Sequence, residues 1–369
     1  MKNFKRCKFG LIAVTVFLAT FIYIATKGNA QFTPKRSLLA LSKTNHTLSI
    51  VDPVTLKIIA RIPVGEDPHE VVASSDGRTA YVCIYGGGSF HEINLIDLVA
   101  QKPLGSIDTR PLFGPHDITF VNGKAWFTAE GSKSIGRYDP TTAKLDWSMG
   151  TGQDRTHMIY VTADAKKIYT TNVSSGTVSI LQDTLMPPGN FAPPKNAAPS
   201  GNMPPPPQGN FPPAGAQPHE NWKQTVIPTT RGSEGFDVSP DGNELWTASS
   251  EDGIISIINL GAKKLAEKVD AKVSGANRLK FTPDGKQVFV SSLQTGDLTV
   301  FDVKSHKEVK RLKLGRGAAG ILMDSDGSRA FVACSADNYV AVIDLKTLKV
   351  KSHLDVGGVP DGLAWATQR

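Results

Sequence analysis

The chain repeats itself with a period of about 42 residues, and few architectures tolerate that. One unit runs Pro68-His69-Glu70-Val71-Val72, Asp76-Gly77, Ala80-Tyr81-Val82, Ile93-Asn94-Leu95-Ile96-Asp97. The same order returns as Asn277-Arg278-Leu279-Lys280-Phe281, Asp284-Gly285, Val288-Phe289-Val290, Leu298-Thr299-Val300-Phe301-Asp302. It returns again around Asp326-Gly327 with Val340-Ala341-Val342-Ile343-Asp344, and around Asp241-Gly242 with Ile255-Ser256-Ile257-Ile258-Asn259. Each unit holds four short β-rich runs. Asp-Gly makes a tight turn between the first two, because Gly accepts positive φ. A fourth run such as Ala60-Arg61-Ile62-Pro63-Val64-Gly65 closes the unit. Four antiparallel strands per unit describe a propeller blade, and no 3.6-residue periodicity competes outside the first 30 residues.

A register follows from the position eight residues before the turn glycine. It falls on His69, His157 (ahead of Ala165), Glu234, Asn277 and Ala319, with His116 one residue nearer its turn and Asp361 as the last. The intervals are 47, 41, 77, 43, 42 and 42 residues, and the 77 is one repeat carrying an insert. Seven inner strands therefore begin at seven points. The C-terminus supplies one inner strand from Gly362 to Trp365, and the N-terminus begins with an orphan second strand at Leu38-Leu39-Ala40-Leu41. Pairing the two ends closes the ring and removes its open edge. The prediction is an all-β, seven-bladed β-propeller with four antiparallel strands per blade.

The pattern of Asp-Gly, Tyr/Phe-Val, Val-Ser-Ile-Ile-Asp and Ile-Pro-Val-Gly resembles the YVTN-type 40-residue propeller repeats, the group that includes YncE-like proteins. It is similar also to the bacterial lactonase propellers and, more loosely, to the haem d1 domain of nitrite reductases. The resemblance covers residues 37–367 apart from the insert. It implies the fold. Its implied activity is lactonase-type hydrolysis, on a scaffold that carries many functions.

Two segments stand apart from the repeats. Residues 1–30 hold Lys2, Lys5, Arg6, Lys8 and Lys27, no acid, and an uncharged run from Phe9 to Ala25 before Gly28-Asn29-Ala30. That is the layout of a signal peptide or an N-terminal membrane anchor, and it places the body, 31–369, outside the cytoplasm, periplasmic or secreted. Removing those five cations takes the formal charge from +7 to +2, which argues against nucleic acid as a partner and leaves the membrane to the N-terminal segment alone. Residues 185–221 hold 12 of the 24 prolines. Such a stretch cannot bury a core, so a disordered insertion between the third and fourth strands of one blade is expected. Cys83 and Cys334 lie on apolar strands of different repeats and read as small core residues.

Inner strands start at one mouth of a propeller channel, so the register residues should converge there. In ring order these are Asp361, His69, His116, His157, Glu234, Asn277 and Ala319. Three of the chain's eight histidines occupy equivalent positions. Neutral imidazoles with a carboxylate suit a divalent metal ion (Zn²⁺, Cu²⁺ or Fe²⁺), which gives His69, His116, His157 and Glu234 as the expected ligand set. The same four residues could act as base and partner in lactone or ester hydrolysis. Arg110, Arg155, Arg231 and Arg316 lie in the same loops, Arg278 sits beside the register, and the loops after the second strands add His91 and Glu130. With Asp361 and Asn277 they would suit a small anionic ligand. No Ser-His-Asp signature, phosphate-binding loop, dinucleotide fingerprint or haem-attachment motif is present. Two readings stay open: a binding or scaffold protein of the cell envelope, with a small ligand or an envelope protein as partner, and a lactonase-type or metal-dependent enzyme using the histidines.

Overall fold

The computed structural model describes residues 32–186 and 219–369. The signal or anchor segment and most of the proline-rich insertion lie outside the described residues. The last described residues of the strands flanking that segment pair with each other, Met186 opposite His219.

Seven four-stranded antiparallel sheets are arranged as blades. The inner strands of blades 1 to 6 are Pro68–Ala73, Pro115–Val121, Thr156–Val161, Ser233–Val238, Ala276–Phe281 and Ala318–Met323. Blade 7 takes its inner strand, Pro360–Thr367, from the C-terminus and its other three, Arg36–Ser42, Thr47–Val51 and Ile58–Pro63, from the N-terminus. Each inner strand packs against the next, and that of blade 7 packs against that of blade 1. The ring is therefore closed by strand pairing between the two ends, with Arg36 opposite Thr367 and Leu39 opposite Ala364.

Sequence pattern explains the layering. Second and third strands carry nearly continuous apolar runs, such as Ala80–Ile84 and Val340–Ile343, and are buried on both faces by neighbouring blades. Fourth strands alternate, as in Lys264–Asp270, because one face meets solvent. Cys83 and Cys334 are free and buried in this core. The Asp-Gly turns form as expected. Gly77 has φ +69°, and Asp76 Oδ1 accepts from Ser74 Oγ and from the Arg78 amide. A Cβ at Gly77 would lie 2.3 Å from the Thr367 backbone, so this glycine serves both the turn and the seat of the closing strand.

One irregularity positions everything that follows. Inner strands of blades 1 to 6 break register between their first and fourth residues, for example between Pro68 and Val71 and between Thr156 and Ile159. The register residue lies inside that bulge, which turns its side chain inward to the channel. The carbonyls freed by the bulges are met by hydroxyls of the preceding blade. Thr128 donates to His157 O at 2.6 Å, Thr171 to Glu234 O at 2.8 Å, and Ser291 to Ala319 O at 2.7 Å. These buried hydroxyls fix neighbouring blades relative to one another, so the mouth is rigid by construction.

Candidate functional site at the channel mouth

All seven register residues line one cavity of about 260 Å³ at a single end of the channel. The histidines form a short stack. His69 and His116 have ring centroids 4.7 Å apart, and His116 and His157 3.9 Å apart. Tyr85 meets His69 and His116 edge-on, at 4.6 and 5.0 Å.

A second ring of positions completes the mouth. In five blades the first residue after the second strand reaches the same space: Lys43, Tyr85, Leu293 and Ser335 line the cavity, and Glu130 stands directly behind His157. Lys43 Nζ contacts His69 Nε2 at 2.9 Å and Asp361 Oδ2 at 2.8 Å. Asp67 Oδ1 lies 3.0 Å from His69 Nε2. On the other side, His157 stands between two carboxylates, with Nδ1 3.4 Å from Glu130 and Nε2 3.5 Å from Glu234. Both separations exceed a hydrogen bond. Arg155 Nε donates to Glu130 Oε1 at 2.6 Å, and Asn277 Nδ2 to Glu234 Oε1 at 2.6 Å. Arg278 crosses the channel to bond Glu70 of blade 1, and its other terminal nitrogen stands 3.9 Å from Glu234.

These contacts push neighbouring titratable groups in opposite directions. Burial, aided by repulsion from His157, His69, Arg278 and Lys43 around it, pushes His116 well below the ordinary histidine value. Burial also opposes charge on His157, but Glu130 and Glu234 outweigh it and raise that imidazole. Glu130 shows the reciprocal effect: burial would raise it, yet His157, Tyr85 and Arg155 hold it at about 2. Glu70 and Asp117, deeper in the channel, are raised by burial despite Arg278. Two stacked imidazoles are thus pushed in opposite directions, His116 down and His157 up.

The residue two places before each register position adopts a left-handed conformation in all seven blades. It is glycine in four (Gly114, Gly232, Gly275, Gly317) and Asp67, Arg155 and Val359 in the others. A non-glycine residue there costs about 1–2 kcal/mol. Asp67 and Arg155 are the partners of His69 and Glu130, so this strain coincides with the histidine cluster.

Several residues singled out in the sequence fall elsewhere. His91 faces Asp108 at 3.3 Å on the rim of blade 1. Arg110 is exposed and tied to the same Asp108, Arg231 is exposed beside Glu251, and Arg316 is exposed on Asp337. The reason is geometric: in the loop after a second strand the residue that reaches the channel is the first, and His91 comes six residues after it, on the rim beside Asp108. The four expected metal ligands are not gathered as one compact group. Among the described residues, the compact group of ligand types is His116, Glu130 and His157, with candidate donor atoms all within 4.8 Å. His69 is instead taken up by Lys43 and Asp67. Sequence reading missed Lys43, Tyr85, Glu70 and Asp67, although the rule of the position after the second strand would have found the first two.

No family model matches the chain, and no curated protein matches it. Solved structures do. A functionally unknown protein from Desulfotomaculum acetoxidans is 14% identical, with 90% of this chain and 99% of that chain covered and a TM-score of 0.67. A candidate 6-phosphogluconolactonase from Bacteroides fragilis is 13% identical, with 90% and 98% covered and a TM-score of 0.66. Kuenenia stuttgartiensis hydrazine synthase is 16% identical, with 81% and 89% covered and a TM-score of 0.60. At such identities the likeness is one of fold.

Proposed function

We propose that this chain is an extracytoplasmic propeller of the cell envelope that binds a small anionic ligand at the channel mouth. The observation that carries this reading is the charge lining the cavity. Lys43, Arg155 and Arg278 all face it, each oriented by an acid, Lys43 by Asp361, Arg155 by Glu130 and Arg278 by Glu70. The cations are fixed by rigid partners, so a carboxylate or phosphate meets preorganised donors and little ordering cost. The cavity's volume suits a ligand of sugar-acid size or smaller. The leader's basic start and uncharged run support export.

The test is a thermal-shift and calorimetric panel of small carboxylates, phosphate esters and neutral sugars. Anions should raise the melting temperature, and the effect should weaken with salt. Neutral sugars binding as well as anions would overturn the reading. A reporter fused after residue 40 and assayed in cell fractions tests the location.

The stacked pair His116 and His157 favours a second reading, lactonase-type hydrolysis. Two stacked imidazoles pushed apart in proton affinity supply a base and an acid in a single cavity. A panel of lactones and esters tests it: His116→Ala should abolish turnover. Absence of turnover on the whole panel would leave the binding reading alone.

A further inference from the structure

We propose that His116, Glu130 and His157 form a binding site for one first-row divalent cation, with Zn²⁺ as the reference ion. The inference rests on the mouth being the ligand site and adds the ion that anchors the ligand there.

Three observations converge. The ligand types are right, two imidazoles and a carboxylate, and their candidate donor atoms lie within 4.8 Å of one another. All three side chains are buried, His116 and His157 at 2% exposure and Glu130 at 6%. The third observation concerns polar satisfaction. Among the described residues, thirteen buried side-chain atoms have no hydrogen-bond partner, and four of them are on these three residues: His116 Nδ1, both nitrogens of His157, and Glu130 Oε2. Buried polar atoms in native proteins are almost always paired, so such a concentration points to a missing partner. A cation satisfies imidazole and carboxylate acceptors together.

The spacing agrees. His157 Nδ1 and Glu130 Oε1 are 3.4 Å apart, too far for a good hydrogen bond. Bonds of 2.0–2.1 Å in a tetrahedral site place neighbouring ligands roughly 3.4 Å apart. The surroundings agree too. Glu234 stands 3.5 Å from the opposite nitrogen of His157 and is itself held by Asn277, so a carboxylate is placed on the far side of that imidazole, where closing by a few tenths of an ångström would give the hydrogen bond that orients a metal-bound histidine. Arg155 holds Glu130 by Oε1 and leaves Oε2 without a partner. Three protein ligands leave a coordination position for the small anion.

The experiment uses the full chain after chelator treatment. Co²⁺ is added and read by its visible absorption, then displaced by Zn²⁺; melting temperature is followed in parallel. One equivalent of Co²⁺ with the spectrum of a low-coordinate N/O site, displaced by one equivalent of Zn²⁺, is expected. His116→Ala and Glu130→Gln should each weaken binding more than 100-fold, and Glu234→Gln by about 10–100-fold. His306→Ala, on the outer rim beside Glu267, should not change it. If a site variant fails to fold, the wild-type spectrum and the Zn²⁺-dependent melting shift still decide. A wild type with neither overturns the proposal, as does binding that survives Glu130→Gln but is lost in His69→Ala. Anion binding by the chelator-treated protein is measured separately. If it persists, the ligand reading stands whatever becomes of the metal.

Discussion

Arg278 and Glu70 join blades 5 and 1 across the channel, 208 residues apart in sequence, and their side chains are 7% and 12% exposed. The pair gives a sharp prediction for Arg278→Met. Methionine fills much of the same space without the charge. Glu70 would then face Asp117 and Asp361 with no counter-ion, and its pKa is already raised by burial even with Arg278 present. Breaking a buried pair from one side costs about 3–5 kcal/mol. For a body of this length, about 2 °C is lost per kcal/mol, so the melting temperature should fall by roughly 6–10 °C at pH 7.5. Glu70 can escape by taking a proton. A raised carboxylate binds more protons folded than unfolded, so stability falls as pH rises. The deficit should therefore shrink on lowering the pH toward the ordinary carboxylate range. Arg278→Met with Glu70→Leu should recover most of the loss, since an apolar pair needs no counter-charge. The assay is thermal unfolding followed by tryptophan fluorescence at pH 5.5 and 7.5. A single variant within about 2 °C of wild type at pH 7.5 would refute the reasoning, and so would a double variant no better than the single.

Removing residues 359–369 takes away the inner strand of blade 7, including Trp365, whose indole N–H donates to Met323 O at 2.8 Å under the Arg36 guanidinium. No cooperative melting transition should remain, and an unchanged one would contradict closure by the two ends. Joining Met186 to His219 through a short Gly-Ser turn should cost less than about 1 kcal/mol in urea unfolding, because closure depends weakly on loop length; a larger loss would mean that residues 187–218 pack on the body. Glu130, held at about 2 against an ordinary 4.5, contributes stability that is full above pH 4.5 and lost as the pH falls toward 2. Glu130→Gln should flatten that acid limb in a melting-temperature profile, and an unchanged profile would remove Glu130 from the ion-pair network.

The fold was legible because each blade repeats the same local instruction. Asp-Gly turns, apolar second and third runs and an alternating fourth all point to one blade, and the intervals between register residues count seven of them. The ring of register residues was legible for the same reason. What lay beyond reach was depth within a loop. His91 and Glu130 both follow a second strand, yet Glu130 is adjacent to its strand and His91 is six residues on, beyond the Gly86–Gly88 turn. One therefore joins the cluster and the other faces Asp108. Composition says nothing of this, because both are polar residues in glycine-bearing loops.

Departures from the repeat carry more information about the site than the repeat itself. The left-handed position ahead of each inner strand wants glycine, and four blades supply it. Blades 1 and 3 use Asp67 and Arg155 instead and accept the backbone cost. Those side chains then reach positions that glycine leaves bare: Asp67 beside His69, and Arg155 on Glu130. Blade 2, between them, keeps Gly114 and contributes His116, the imidazole with no charged partner of its own. A sevenfold scaffold offers seven equivalent places, but one arc of it, from blade 7 through blade 4, has been made chemically distinct. Blade 6 shows the contrast: its register residue is Ala319, its left-handed residue is Gly317, and its Arg316 turns outward to Asp337. The three non-glycine left-handed positions, and the four orphaned polar atoms of His116, Glu130 and His157, fall on that arc, and structural need alone does not require either.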